Sequence, residues 1–177
     1  MTSKFKLKWS LWIGVMAGIY VFLYSISPLA QYGVMPATFV ALPIYFAAGA
    51  QKKDFFSFAL SSAWGVLWGK GFLIVMGWLG AFITLPALSD AIVVCALTIL
   101  CVIIHFFIPE KLFFCQVAAC FGGIAVTLMQ GGNNMIPLMI TLALGVLLGL
   151  VCATGATFLT PEGKWASPAK VKAAQSE

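Results

Sequence analysis

Apolar residues run through this chain in blocks of bilayer length, without the strict alternation of half-buried strands. Six such blocks cover residues 9–30, 34–50, 57–80, 88–107, 112–130 and 135–159, each closed by a short polar or broken stretch. A helix crossing a hydrocarbon core needs about 20 predominantly apolar residues. The pattern therefore predicts an all-α polytopic membrane protein with six transmembrane helices. Residues 1–8 are a basic N-terminal segment, 9–160 the membrane domain and 161–177 a flexible cytoplasmic tail. The start of the chain also has the form of a secretory signal, basic then apolar. Its apolar run is too long for one, however, and Pro28 spoils the small-residue cleavage pattern before Ala30.

The separators set the orientation. Gln51, Lys52, Lys53 and Asp54 make one polar turn; Ile108, Pro109, Glu110 and Lys111 make another. Gly131, Gly132, Asn133 and Asn134 make a third, in which glycine ends one helix and asparagine can cap the next. With the N-terminus inside, nine of the ten lysines fall on the inner side, and the outer turns carry none. That asymmetry follows the positive-inside rule and places both termini in the cytoplasm.

Composition agrees. The 177 residues are 62% hydrophobic and 8% charged, with mean hydropathy +1.05. A soluble domain cannot cover so much apolar surface with so few charges, so the principal partner is the lipid bilayer. The net charge of +5 is spent on orientation and not on nucleic acid. Cys95, Cys101, Cys115, Cys120 and Cys152 all lie in apolar runs without a C-x-x-C spacing. They read as small packing residues, with no metal site and no cofactor. There is no catalytic constellation: no P-loop, G-x-S-x-G or H-E-x-x-H is present, and an enzyme is not expected.

The tenth lysine, Lys70, sits deep inside the third block. A lysine at that depth costs at least ~2.5 kcal/mol on insertion scales, and such residues face a bundle interior or a wet cavity. By a rise of ~1.5 Å per residue it is roughly 13 Å from the outer end. Pro43 falls at about the same depth in the second block, where it frees the carbonyl of Phe39. Thr98, Gly122 and Gly145 fall within a turn of that level, and Trp64 and Trp68 are too deep for an interfacial belt. These eight residues are the expected substrate or pore positions, with Asp90 at the outer mouth. The blander readings stand beside this one. Glycines mark close helix packing, threonines bond their own helix backbones, and Lys70 serves only to tie helices together. His105 reads as interfacial.

Ser61, Gly65 and Gly69 form a small-x-x-x-small stripe on the third helix. The stretch from Trp64 to Gly69 is echoed by Leu144 to Gly149. A three-plus-three inverted repeat and chance both account for that echo.

The layout resembles the YcdZ-like family of small six-span bacterial inner-membrane proteins of unknown function. The resemblance spans about 9–159 and is carried by P-A-T-F-V-A-L-P at 36–43, W-G-V-L-W-G-K-G at 64–71 and the G-G-N-N turn. It implies an inner-membrane location and six spans and brings no substrate. Two functions remain. One is a channel or transporter for a small polar solute, neutral or anionic, working as a homo-oligomer around Lys70. The other is a non-transporting scaffold or accessory subunit.

Overall fold

A computed structural model describes residues 2–109 and 114–175. The chain is all-α: α1 (Ser3–Ser25), α2 (Thr38–Ala47), α3 (Phe55–Gly80), α4 (Pro86–Phe107), α5 (Val117–Met129), α6 (Met135–Thr154) and α7 (Pro168–Gln175). The expected turn residues Glu110 and Lys111 and the expected start of the fifth span at 112 lie outside the described residues.

Local chemistry sets the helix limits. The Thr2 hydroxyl accepts from the Phe5 amide and caps α1. That helix stops at Ser25, earlier than the apolar run does, because Ser27 and Pro28 start a separate 3-10 turn, Pro28–Tyr32. Pro28 has no amide proton to extend the α1 ladder, and the Ser27 hydroxyl caps the new turn by accepting from Leu29. Gly33 closes the turn in a left-handed conformation at φ 64°. Proline opens α4 at its first position, where the missing amide costs nothing. A second 3-10 turn, Met35–Ala37, leads into α2.

Four helices are long and apolar enough to cross a membrane: Ser3–Ser25, Lys52–Gly80, Pro86–Phe107 and Met135–Phe158, the second and fourth counted with their 3-10 extensions. Their outward faces carry Leu11, Phe22, Ile74, Trp78, Ile99 and Phe106, all exposed. Apolar side chains turned out along long apolar helices belong to an integral membrane protein. The second and fifth blocks are helical but short, at 10 and 13 residues.

The short helices are the centre of the packing. The core holds Tyr45, Phe58, Val66, Leu138, Leu142 and Val146, from α2, α3 and α6, all but inaccessible. α5 lies along α3: a Cβ at Gly65 would overlap the Cys120 carbonyl, and one at Gly69 would meet Thr127. α2 lies along α6 in the same way: a Cβ at Gly145 would meet the backbone of Thr38, and one at Gly149 would meet the ring of Tyr45. Here only glycine lets the backbones touch.

These two pairings are the same pairing made twice. Gly65 and Gly69 stand to Cys120 and Thr127 as Gly145 and Gly149 stand to Thr38 and Tyr45. Each half of the chain runs long helix, short helix, long helix, and each short helix packs on the third helix of the other half. Contacts advance in step along α3 and α5, so those helices are parallel; the tight turns before α3 and α6 reverse the chain. The halves therefore have opposite sense, an inverted repeat. Of the two accounts of the glycine echo, the packing supports the repeat.

The chain's two ends meet. The Thr2 hydroxyl donates to the Pro161 carbonyl at 2.9 Å, and Gly163 packs on the backbone of Lys4 and Phe5. Trp9 and Trp12 donate their indole protons to the Cys152 and Val151 carbonyls, each at 3.0 Å. The segment expected as a flexible tail carries a short antiparallel bridge between Leu159 and Trp165, then α7, with Val171 buried.

Candidate functional site

Lys70 is half-buried on α3, and its Nζ donates to the Gly132 carbonyl at 3.4 Å. Its partner is thus the α5–α6 turn, not the Phe39 carbonyl that Pro43 frees. That turn is built by Gly131 and Gly132 at φ 59° and 73°, followed by Asn134 at φ 53°. Left-handed backbone at successive positions is why glycine and asparagine are needed there. α3 continues ten residues past Lys70 to Gly80, about 15 Å of helix. The turn is therefore recessed by about half the length of a membrane span relative to the C-terminal end of α3, and the Lys70 ammonium lies in that recess.

The other expected residues divide by where they point. Gly122 packs on Val40 and Ile44 of α2, and Gly145 on Thr38 and Ala41, so both are at helix crossings. Trp64 and Trp68 stand edge to face at 6.3 Å and pack against Phe72, Cys101, Cys120 and Ile124. Their indole nitrogens are buried without a hydrogen-bond partner. Phe39 and Pro43, one turn apart on α2, are both exposed and face away from these crossings. Thr98 is half-buried on α4. Asp90 is exposed near the start of α4 and forms no ion pair with Lys70.

Two polar clusters were not expected from the sequence. In the first, the Tyr20 hydroxyl pairs with the Thr38 hydroxyl at 2.5 Å, and Tyr24 with Thr141 at 2.9 Å. Thr141 also donates to the Pro137 carbonyl at 2.8 Å, as Thr127 does to Gly123 at 2.8 Å, the backbone bonding expected of these threonines. Changing Tyr24 to phenylalanine leaves Thr141 its backbone acceptor and removes one buried bond. The expected loss is about 1 kcal/mol, seen as a small fall in the thermal midpoint in detergent. In the second cluster, Cys101, His105 and Cys120 are all buried, and their ligand atoms lie within 4.8 Å of one another. The four-residue spacing of Cys101 and His105 on one helix face was a readable signal. The approach of Cys120 was not, since it depends on how α5 docks.

A pocket between α2, α5 and α6 is lined by Val34, Pro36, Val40, Val126, Met129 and Leu138 and is largely apolar. Among comparisons with known proteins, a family model described as a protein of unknown function (DUF1097) matches residues 10–157. No curated protein and no solved structure matches the chain.

Proposed function

The chain belongs to the DUF1097 family, and from that premise we propose that it is a small channel or transporter for a small polar solute, neutral or anionic. The observation that carries this reading is the Lys70 ammonium beside a left-handed glycine turn half a span below the end of α3, within an inverted repeat. Inverted repeats with interrupted or short helices that end at mid-depth are the construction of many transporters. The ammonium has three donors and one long hydrogen bond, so it keeps capacity for an oxygen of a passing solute. In this reading all six apolar helices enter the bilayer, and the two short ones cross only part of it. The lysine asymmetry supports cytoplasmic termini, and the resemblance to the YcdZ-like pattern supports a bacterial inner membrane. The chain works as a homo-oligomer, with part of its exposed apolar surface against a second copy and the rest against lipid.

A second reading rests on the same bond. If the contact between Lys70 and Gly132 only pins the α5–α6 turn, the protein is a scaffold or accessory subunit. Flux through proteoliposomes separates the two. Wild type passes small anions or neutral polar solutes. Lys70→Met, checked as folded, loses a charge-assisted interaction of ~1.5–3 kcal/mol and slows that flux about tenfold or more. If no solute of the panel moves through wild type, the transport reading falls for that panel and the scaffold reading stands.

A further inference from the structure

We propose that Cys101, His105 and Cys120 form a binding site for a soft divalent d10 cation of the zinc class. The inference is independent of transport through Lys70.

Three ligand atoms of the right kind converge. The two sulfurs and a ring nitrogen lie within 4.8 Å of one another, and all three residues are buried. Ligands bound at the ~2.0–2.3 Å of zinc–nitrogen and zinc–sulfur bonds lie roughly 3.3–3.8 Å apart in a tetrahedron, so closure draws the three side chains together and turns the imidazole. One nitrogen of the imidazole lacks a partner. Its Nδ1 lies 2.7 Å from the Cys101 carbonyl and 3.7 Å from the Cys101 sulfur, while Nε2 is buried without a hydrogen-bond partner. A neutral imidazole has one donor and one acceptor. The Cys101 carbonyl takes the proton, and a lone pair is left over in apolar surroundings. A cation uses that lone pair once the ring turns to bring Nε2 to the sulfurs, since Nδ1 is the nitrogen that lies 3.7 Å from the Cys101 sulfur.

The inverted repeat supplies a control within the molecule. Thr38 meets Gly145 in the first half's pairing as Cys120 meets Gly65 in the second's, and Tyr20 reaches Thr38 from the preceding helix as Cys101 reaches Cys120. The Tyr20 to Thr38 contact joins α1 to α2 as the sulfur cluster joins α4 to α5. Packing at this position is therefore satisfied by hydroxyls that bond one another. The second half has sulfur ligands in place of that hydroxyl pair, with His105 one turn on from Cys101.

Charge selects the cation. Two thiolates, a neutral imidazole and a divalent ion sum to zero, which a low-dielectric interior tolerates; a monovalent ion would leave a net buried negative charge. Binding displaces the two thiol protons and creates two metal–sulfur bonds, so two protons leave for each ion bound. Three protein ligands leave a fourth position of a tetrahedral ion open. His105 is two residues from the end of α4, so the site lies near one end of that helix.

The test titrates cadmium into the full chain, purified in detergent and kept reduced. The expected result is a thiolate-to-cadmium charge-transfer absorbance that saturates at one ion per chain, with two protons released and zinc competing. Cys101→Ala and Cys120→Ala lose the band, whereas Cys95→Ala and Cys152→Ala keep it. His105→Gln weakens binding and leaves the thiols in place. Thermal unfolding without metal establishes that each variant is folded. Absence of stoichiometric binding by wild type, or an undiminished band in folded Cys120→Ala, overturns the site. Release of fewer than two protons per ion bound overturns the charge assignment.

Discussion

A leucine at Gly65 or at Gly145 abolishes folded, detergent-extractable protein, while a leucine at Gly14 or Gly18 leaves it intact. All four glycines lie in helices and look alike in composition. At Gly65 the first atom of a side chain already overlaps the backbone of Cys120, and at Gly145 it meets the backbone of Thr38. Backbone cannot swing aside as a side-chain tip can, so the helices must part. Overpacking a core costs about 1–3 kcal/mol and more where nothing yields. Separating α3 from α5, or α6 from α2, also gives up the packing along the whole crossing. At Gly14 and Gly18 a Cβ meets nothing within 4 Å. Size-exclusion profiles and thermal midpoints of the four variants read the difference. Equal behaviour at Gly65 and Gly145 is the further expectation, because the two positions are equivalent in the repeat. Normal profiles for both would refute the packing described here.

The second large effect is expected at Tyr45. Tyr45→Ala destabilises the protein by about 3–5 kcal/mol, the usual cost of deleting a buried aromatic ring. The ring is wholly inaccessible; it stacks edge to face on Phe58 at 5.1 Å and fills the space that Gly149 leaves open. Its hydroxyl donates to the Gln51 carbonyl at 2.8 Å, tying α2 to the turn before α3. Tyr45→Phe separates the two contributions. It keeps the ring, leaves the Gln51 carbonyl with the Asp54 amide as donor and costs about 0.5–1.5 kcal/mol. Thermal unfolding of the two variants measures both, and near-identical midpoints would contradict the assigned role of the ring.

Much of the architecture was legible because lipid simplifies the rules. Every backbone polar group must be met within the segment, so long apolar runs become helices, and their positions can be read by length. Each of the six runs contains a helix among the described residues. Their ends were less legible. α1 stops at Ser25 because a serine and a proline together stop it, although the apolar composition runs on to Ala30. α2 and α5 fall short of bilayer length, because the turns beside them are set by glycines at positive φ and are recessed into the fold. The count along the chain placed Lys70 level with Pro43. That count assumed every helix begins at the membrane surface, and the recessed α5–α6 turn brings Gly132 to Lys70 instead.

By itself the sequence determined the solvent, the helices, the inner and outer sides proposed for them, and the presence of one costly cation. These are consequences of composition and spacing, which act locally. Only the tertiary structure decided which glycines are indispensable, which turn receives Lys70, and that two cysteines and a histidine share one buried place. Those depend on how parallel and antiparallel helices dock. Docking in lipid is governed by close contact between backbones, which no pattern along a single helix specifies.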